Sequence, residues 1–104
     1  MTETTTNWIV DEVTNSAGDR HEVTRIYKIG TDTVRIRMRR DLYPDHSFAV
    51  VEVLTTDRKW TQLINEPVWN WYFEVNCPDY ALDIDTGLHV VADRLYERAA
   101  AILT

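Results

Sequence analysis

The stretch that decides the fold reads Val34-Arg35-Ile36-Arg37-Met38-Arg39, in which apolar and basic residues alternate strictly. Successive side chains of a β-strand point to opposite faces, so a period of two predicts a strand with one apolar and one basic face. We expect the apolar side chains to face a core. The three arginines, Arg35, Arg37 and Arg39, are then expected to line up on the other face of the sheet.

Further segments with strand character lie on both sides of this stretch. They are Asn7–Thr14, Glu22–Ile29, Phe48–Leu54, Trp60–Ile64 and Pro67–Val75. Each is rich in β-branched or aromatic residues, and glycines or short polar runs separate the first strands. Loops this short join antiparallel strands, because a parallel crossover needs about a dozen residues or more. The sequence therefore predicts an antiparallel sheet of about five strands.

The residue pattern at the C-terminal end predicts one helix over residues 86–103. Asp85 or Thr86 is expected to cap its N-terminus. Its apolar residues recur at spacings of three and four, which is the pattern of a helix with one buried face. They are Leu88, Val91, Leu95, Ala99 and Ile102. The fold expected is a single α+β domain over 1–104, with the helix packed on one face of the sheet and residues 1–6 as a loose polar terminus.

Composition excludes several classes of protein. The chain has 104 residues, 17 acidic and 11 basic, a net charge of −6 and one cysteine. This length allows one domain and is too short for a large catalytic barrel, which needs about 250 residues. One cysteine excludes an intrachain disulfide framework. No apolar run approaches the roughly 20 residues of a membrane span and no signal peptide is present, so we expect a cytoplasmic protein with no membrane association.

The charges are segregated along the chain. Residues 20–40 contain seven basic and two acidic residues, a balance of +5, and the rest of the chain contains four basic and fifteen acidic residues, a balance of −11. Residues 60–93 contain no lysine or arginine. Such asymmetry concerns partners and solubility more than fold. It indicates either a charged binding surface or two halves of the chain whose charges meet and partly cancel on folding.

The arginine stripe is the first candidate binding feature. Arg35, Arg37 and Arg39, extended by Arg40 and by Arg25 or Lys28 on the neighbouring strand, are suited to an acidic protein, a phosphate or a nucleic acid. Direct nucleic-acid binding is disfavoured, because the sequence pI of about 4.9 is far below that of most nucleic-acid-binding domains. The alternative is a solvated outer face whose arginines pair with Glu52 across the strands.

The aromatic run is the second candidate. Trp69, Trp71 and Tyr72 are residues of the type that anchors binding hot spots. If Pro67–Val75 is a strand, Trp69, Trp71 and Phe73 share one face. The alternative is that these rings form the core beneath the helix.

An acidic set follows the aromatic run and could present carboxylates in place of nucleic-acid phosphates. Its members are Glu66, Glu74, Asp79, Asp83 and Asp85. The match to a calcium loop is poor, because no glutamate stands at the closing position after Gly87. Helix capping and solvation are the simpler explanation of the aspartates.

Nothing in the sequence carries a catalytic motif, and we expect no catalytic residue, no cofactor and no metal. Asp41, Asp45 and His46 lack a further strong ligand nearby. Cys77 lacks the electropositive surroundings that activate a thiol. The three glycines are isolated, so no phosphate-binding loop is present.

These observations favour a small acidic, non-enzymatic module that binds a partner protein as an inhibitor or adaptor through a charged and aromatic surface. Immunity proteins and phage anti-defence proteins often have this size and acidity, although no shared motif supports that analogy. One alternative is a ligand-binding or enzymatic domain with an aromatic-lined pocket between sheet and helix. Another is a homo-oligomeric structural protein that pairs through Phe48, Val50 and Leu54.

Overall fold

The computed structural model describes residues 8–75 and 84–104 and contains five strands and a long helix. The strands are β1 (Trp8–Ala17), β2 (Arg20–Ile29), β3 (Asp32–Arg40), β4 (Phe48–Leu54) and β5 (Trp60–Asn65). They form one antiparallel sheet in the order β1-β2-β3-β4-β5. The C-terminal helix packs on one face of this sheet. The predicted α+β architecture is therefore confirmed.

The two hairpins at the start of the sheet turn through glycines. Gly18 and Gly30 have φ values of 62° and 63°, a region that side chains with a Cβ disfavour. Each glycine stands first in a two-residue loop, as in the type II′ turns that match the twist of paired strands. These tight turns fix the register, in which Tyr27 faces Val34 and Arg25 faces Ile36.

Two helical segments follow the sheet in the described part of the chain. A short helix α1 (Tyr72–Val75) comes after a 3₁₀ turn at Val68–Asn70, and α2 (Ile84–Leu103) forms the long helix. The prediction of a strand over Pro67–Val75 is wrong, because this segment turns helically from residue 68 onward. The helix predicted over 86–103 begins two residues earlier, at Ile84.

The core lies between the apolar face of β3 and the stripe of α2. Val34, Ile36 and Met38 are at most 1% exposed, as the alternation of β3 predicts. Leu88, Val91, Ala92, Leu95 and Ala99 of α2 are equally buried. Ile102 is 55% exposed, so the predicted stripe leaves the core near the end of the helix.

A glycine of α2 allows α1 to approach closely. Gly87 is buried, and a Cβ at this position would lie 3.3 Å from Cα of Val75. Because that neighbour is backbone, a larger side chain would displace α1 from α2. Gly87 therefore sets the position of the turn that carries the aromatic residues described below.

Candidate functional site

The outer sheet face, which is the face away from α2, carries the arginine stripe. Arg35 and Arg37 both donate hydrogen bonds to Oε1 of Glu52, each over 2.9 Å, and Arg39 donates to Oε2 of Glu22 over 2.7 Å. Cross-strand pairing places these residues together, since Arg35 faces Glu52 and Arg39 faces Glu22 in the register. The stripe is present as predicted, and each of its three arginines is held by a carboxylate of a neighbouring strand.

The same arginines lie over two aromatic rings of the outer sheet face. The guanidinium of Arg35 lies 4.2 Å from the ring centroid of Trp60, and those of Arg37 and Arg39 lie 5.7 Å and 5.3 Å from that of Phe48. A guanidinium within about 6 Å of an aromatic ring centroid is attracted by the negative face of the ring. No second layer is needed to shield Phe48, because the arginines of its own sheet lie across it.

Glu52 is the centre of this charge arrangement. Burial alone would raise the pKa of its carboxyl, but the hydrogen bonds from Arg37 and Arg35 outweigh burial and hold the pKa below its ordinary value. The carboxylate is therefore the stable form in the folded protein. Glu52 offsets one of the five net positive charges counted in residues 20–40, and Glu22, which pairs with Arg39, is already included in that count.

Arg25 lies on the opposite side of the sheet from the stripe. It faces Ile36 in the register and is only 6% exposed, so of the two residues predicted to extend the arginine stripe, Arg25 does not. Lys28 does lie on the outer sheet face, opposite Thr33, to which it donates a hydrogen bond over 2.8 Å. The guanidinium of Arg25 donates to Glu12 over 2.6 Å, to Asp93 over 2.5 Å and to the hydroxyl of Tyr27 over 2.7 Å. The buried cation thus joins β1, β2 and α2.

The hydrogen bonds of Arg25 also explain its protonation. Burial alone would lower the pKa of the guanidinium, but the bonds to Asp93 and Tyr27 outweigh burial and raise that pKa above its ordinary value. Burial raises the pKa of the Tyr27 phenol, although the bond from Arg25 opposes the rise. Arg25 also donates to Nδ1 of His89, which must then be an acceptor, because a guanidinium can only donate.

A second polar cluster joins the tip of the first hairpin to the start of α2. His21 Nδ1 lies 3.1 Å from Oδ1 of Asp85, and the hydroxyl of Ser16 donates to the same carboxylate over 3.1 Å. The three residue types are those of a hydrolytic triad, but Ser16 contacts the same ring nitrogen as Asp85 does, 3.0 Å away. In a triad the two contact opposite nitrogens. The arrangement is a structural contact, in which the first hairpin is hydrogen-bonded to Asp85 in the first turn of α2.

The aromatic residues separate into an exposed and a buried pair. Trp69 and Phe73 are 60% and 68% exposed and stack with their ring centroids 5.5 Å apart, whereas Trp71 and Tyr72 are 1% and 7% exposed. We name the exposed pair, Trp69 and Phe73, the aromatic corner. The prediction that Trp69, Trp71 and Phe73 share one face is wrong, because the segment is helical.

The buried pair fixes the aromatic corner to the rest of the fold. The hydroxyl of Tyr72 donates to the carbonyl oxygens of Asp41 and Leu42, over 3.0 Å and 2.7 Å. Its ring contacts both rings of the corner edge-on, with centroid distances of 6.3 Å to Trp69 and 6.1 Å to Phe73. The corner therefore projects from a rigid base.

Trp71 lies in the core and leaves one polar atom unpaired. Its indole Nε1 is buried and finds no acceptor among the described residues. An unpaired buried donor costs about 1–3 kcal/mol. The packing of this large ring outweighs that cost, so Trp71 supports the corner from below and presents no surface to a partner.

An open groove of about 560 Å³ runs along α2 beside the turn at Val68–Asn70. Val91, Leu95 and Ala101 of α2 supply its apolar lining, and Asn70 and Glu97 supply polar groups. Among the described residues that line this groove there is no tryptophan. Its walls also contain Glu66, Arg94 and Arg98.

Three members of the predicted acidic set lie in the described residues, each bound to a basic side chain. Glu66 accepts from Arg98 over 2.8 Å, and Glu74 accepts from Arg94 over 2.9 Å. Asp85 is engaged by His21 as described above. Asp79 and Asp83 lie outside the described residues, as do Cys77 and residues 1–6.

Two further features concern possible ligands and membranes. Within residues 8–75 and 84–104, no group of three or more His, Cys, Asp or Glu side chains is placed to hold a metal ion. No helix in the described part of the chain is long and apolar enough to cross a membrane.

Comparisons with family models, curated proteins and solved structures return no match for this chain.

The sequence analysis placed Phe73 on the same face as Trp69 but did not name it as a binding anchor, although a signal was present. The two residues are four positions apart, which places them on one side of a helical segment. Trp71, Tyr72 and Val75 occupy the buried side at helical spacing. The high strand propensity of aromatic residues outweighed this pattern in the prediction.

Proposed function

We propose that this protein is a small, non-enzymatic binding module that docks on a partner protein through the aromatic corner and acts as an inhibitor or adaptor. The observation that carries the proposal is the stacked pair of Trp69 and Phe73, both more than half exposed. Folding gains little from rings left in water, while tryptophan is enriched among the residues that dominate protein interfaces.

Rigidity of the aromatic corner supports this function. Tyr72 ties the turn to the loop after β3 by two hydrogen bonds, and buried Trp71 packs beneath it. Anchors that are already ordered before binding lose little side-chain entropy when the partner docks. Leu42 and Tyr43, which are 47% and 61% exposed, belong to the loop held by Tyr72 and extend the apolar surface available to a partner.

The arginine stripe has a secondary role in this proposal. Arg35, Arg37 and Arg39 are already engaged by Glu52 and Glu22, so a partner's carboxylates would have to displace those bonds. Glu66 and Glu74 are likewise held by arginines, which disfavours a free array of carboxylates that mimics nucleic acid. The uncharged aromatic corner carries the binding energy in this proposal, and the charges influence the rate and specificity of association.

Capture of the partner from native lysate tests the proposal. The wild-type protein is compared with the double variant Trp69→Ala/Phe73→Ala, and the matched control is Ile9→Ala/Val10→Ala, which truncates two exposed apolar residues of the edge strand β1. A partner should be recovered by the wild type and the control and lost by the aromatic variant. Retention of every captured protein by the aromatic variant, with its fold verified by circular dichroism, would exclude this docking surface.

A further inference from the structure

Strand β1 forms an open edge of the sheet. It is ten residues long, pairs with β2 on one side and has no strand on its other side among the described residues. An unpaired edge is a template for another strand, and proteins commonly guard it with lysine or proline. β1 contains neither residue, and its Ile9, Val10 and Val13 are 47%, 54% and 55% exposed. The edge therefore offers both the backbone groups and the apolar side chains that a further strand requires.

The first hairpin determines which backbone groups of β1 face outward. The two residues that flank its two-residue loop form a hydrogen-bonded pair, and such pairs alternate with non-hydrogen-bonded pairs along an antiparallel ladder. Val13 therefore bonds to β2, whereas Glu12 and Thr14 direct their N–H and C=O groups to the open side. The N–H of Glu12 agrees with this assignment, because it donates to the side chain of Asp11 over 2.9 Å.

The sequence of β1 is complementary to itself when a second copy lies antiparallel. With a two-fold axis at Val13, Asp11 faces Asn15 of the second copy and Glu12 faces Thr14 of the second copy. Each carboxylate then lies opposite an uncharged side chain that can donate a hydrogen bond. An axis at Asp11 or at Glu12 would place like carboxylates directly opposite each other, which is unfavourable. The bulge between Ile9 and Asp11 lies outside the self-paired segment 11–15.

This self-complementarity selects a second copy of the chain as the occupant of the edge. An isologous interface requires that one surface match itself. Residues 9–12 are apolar or acidic and residues 14–17 are uncharged, so antiparallel copies bring the two unlike halves together. Such pairing closes at two copies, whereas β1 on β5 of another copy would leave an edge open and continue into a polymer.

We propose that two copies of this chain associate through β1, antiparallel about a two-fold axis at Val13. The five strands of each copy then form one continuous sheet, with both α2 helices on the same side. Glu12 and Thr14 supply the main-chain hydrogen bonds, and the two Val13 side chains meet in a non-hydrogen-bonded pair, where side chains are closest. The inference does not use the aromatic corner, so it is independent of the proposed function.

Sedimentation equilibrium of the full chain tests the association. The wild type should pass from monomer to dimer between about 1 and 500 µM. Val13→Lys should weaken the dimer at least about tenfold, because it places two cations opposite each other, and Thr61→Lys, the same charge added on β5, should weaken it less than about twofold. A monomer at every concentration, a species larger than a dimer, or equal weakening by both variants would refute the proposal.

A backbone substitution separates strand pairing from contact between side chains. Thr14→Pro removes an outward N–H, and proline is accepted on an edge strand when its nitrogen faces away from the ladder. Thr14→Ala removes the same side chain and keeps the N–H. Circular dichroism should show the native fold in both variants, while only the proline variant should lose the dimer. Equal dimerisation of the two variants would contradict pairing through the main chain.

Cysteine cross-linking tests the register. In a Cys77→Ser background, Val13→Cys should form a disulfide-linked dimer in a glutathione buffer, because Cα atoms of a non-hydrogen-bonded pair lie about 4.5 Å apart. Asn15→Cys should not, since the two cysteines would lie four residues apart along the paired strands, about 13 Å. Equal cross-linking of both variants, or cross-linking of Asn15→Cys alone, would overturn the axis at Val13.

Discussion

The outer sheet face and the aromatic corner differ in how much of their binding capacity is left after folding. The outer sheet face has the most conspicuous pattern in the sequence, yet Glu52 and Glu22 engage its three arginines, and the guanidinium groups of Arg37 and Arg39 lie over the ring of Phe48. The aromatic corner has no charge, and its two rings remain mostly in water. A charged pattern therefore marks a binding surface only if the fold leaves its charges unpaired.

Truncation of Trp71 should have the largest effect on stability. It compares the buried ring beneath the aromatic corner with the exposed ring of Trp69. We expect Trp71→Ala to lower the free energy of unfolding by about 3–5 kcal/mol, because it opens a cavity in the core. Trp71→Phe should cost less, since it keeps a ring and removes the unpaired indole N–H. Trp69→Ala, on the exposed side of the same turn, should change stability by less than about 1 kcal/mol. Urea denaturation measures the free energy of unfolding of all three variants. An equal decrease for Trp69→Ala and Trp71→Ala would contradict the division into an exposed and a buried ring.

The buried Arg25 provides the next largest effect and a contrast with the outer arginines. Arg25→Ala should lower the free energy of unfolding by about 2–4 kcal/mol, because it leaves the hydroxyl of buried Tyr27 without its partner and removes the link to Asp93. Arg37→Ala removes a side chain that is 40% exposed and should cost at most about 1 kcal/mol. Thermal and urea unfolding of the two variants give the comparison. A greater loss for Arg37 would mean that the outer sheet face contributes more to stability than its exposure indicates.

Gly87 tests how the corner is positioned. Gly87→Val should lower the free energy of unfolding by about 1–3 kcal/mol, because its side chain meets the backbone of Val75. Gly87→Ala adds only the Cβ and gains about 1 kcal/mol of helix propensity, so its loss should be smaller. Tryptophan fluorescence should change more in the valine variant, as α1 moves away from α2. Identical stability of both variants and the wild type would show that the close approach does not constrain the corner.

Substitution of Glu52 should have the smallest effect on the free energy of unfolding, and the size of this effect depends on pH. The pKa of Glu52 is lowered on folding, so its contribution to stability is complete above the unfolded value of about 4.5 and is lost as the pH falls through the lower folded value. At neutral pH, Glu52→Gln should lower the free energy of unfolding by about 1 kcal/mol, and the difference from the wild type should shrink as the pH falls below about 4.5. Urea denaturation across this pH range checks the sign. A difference that grows on acidification would contradict the role of the carboxylate.

Local patterns predicted most of the fold. The alternation of Val34, Ile36 and Met38 with arginines predicted both the strand and its buried face, and the helix began within two residues of the predicted start. The prediction failed at Pro67–Val75, where strand propensity and helical spacing disagree. Aromatic residues fit either structure when they are half buried, so tertiary packing decides between the two.

The candidate site was less accessible to prediction. Trp69 was singled out from its residue type, but the burial of Trp71, away from Trp69 and Phe73, depends on the helical turn. The groove depends on where α2 lies relative to that turn, since residues more than 20 positions apart, such as Asn70 and Arg94, form its walls. No local spacing encodes such a distance.

The sequence by itself determined the single antiparallel domain, the C-terminal helix and the two faces of the central strand. It could do so because side-chain periodicity follows directly from backbone geometry. Tertiary structure alone decided which charges are neutralised: Arg25 is buried against Glu12 and Asp93, and Arg35 and Arg37 bond to Glu52. Charge pairing depends on distances between residues far apart in the chain, and only strand register and helix packing fix those distances.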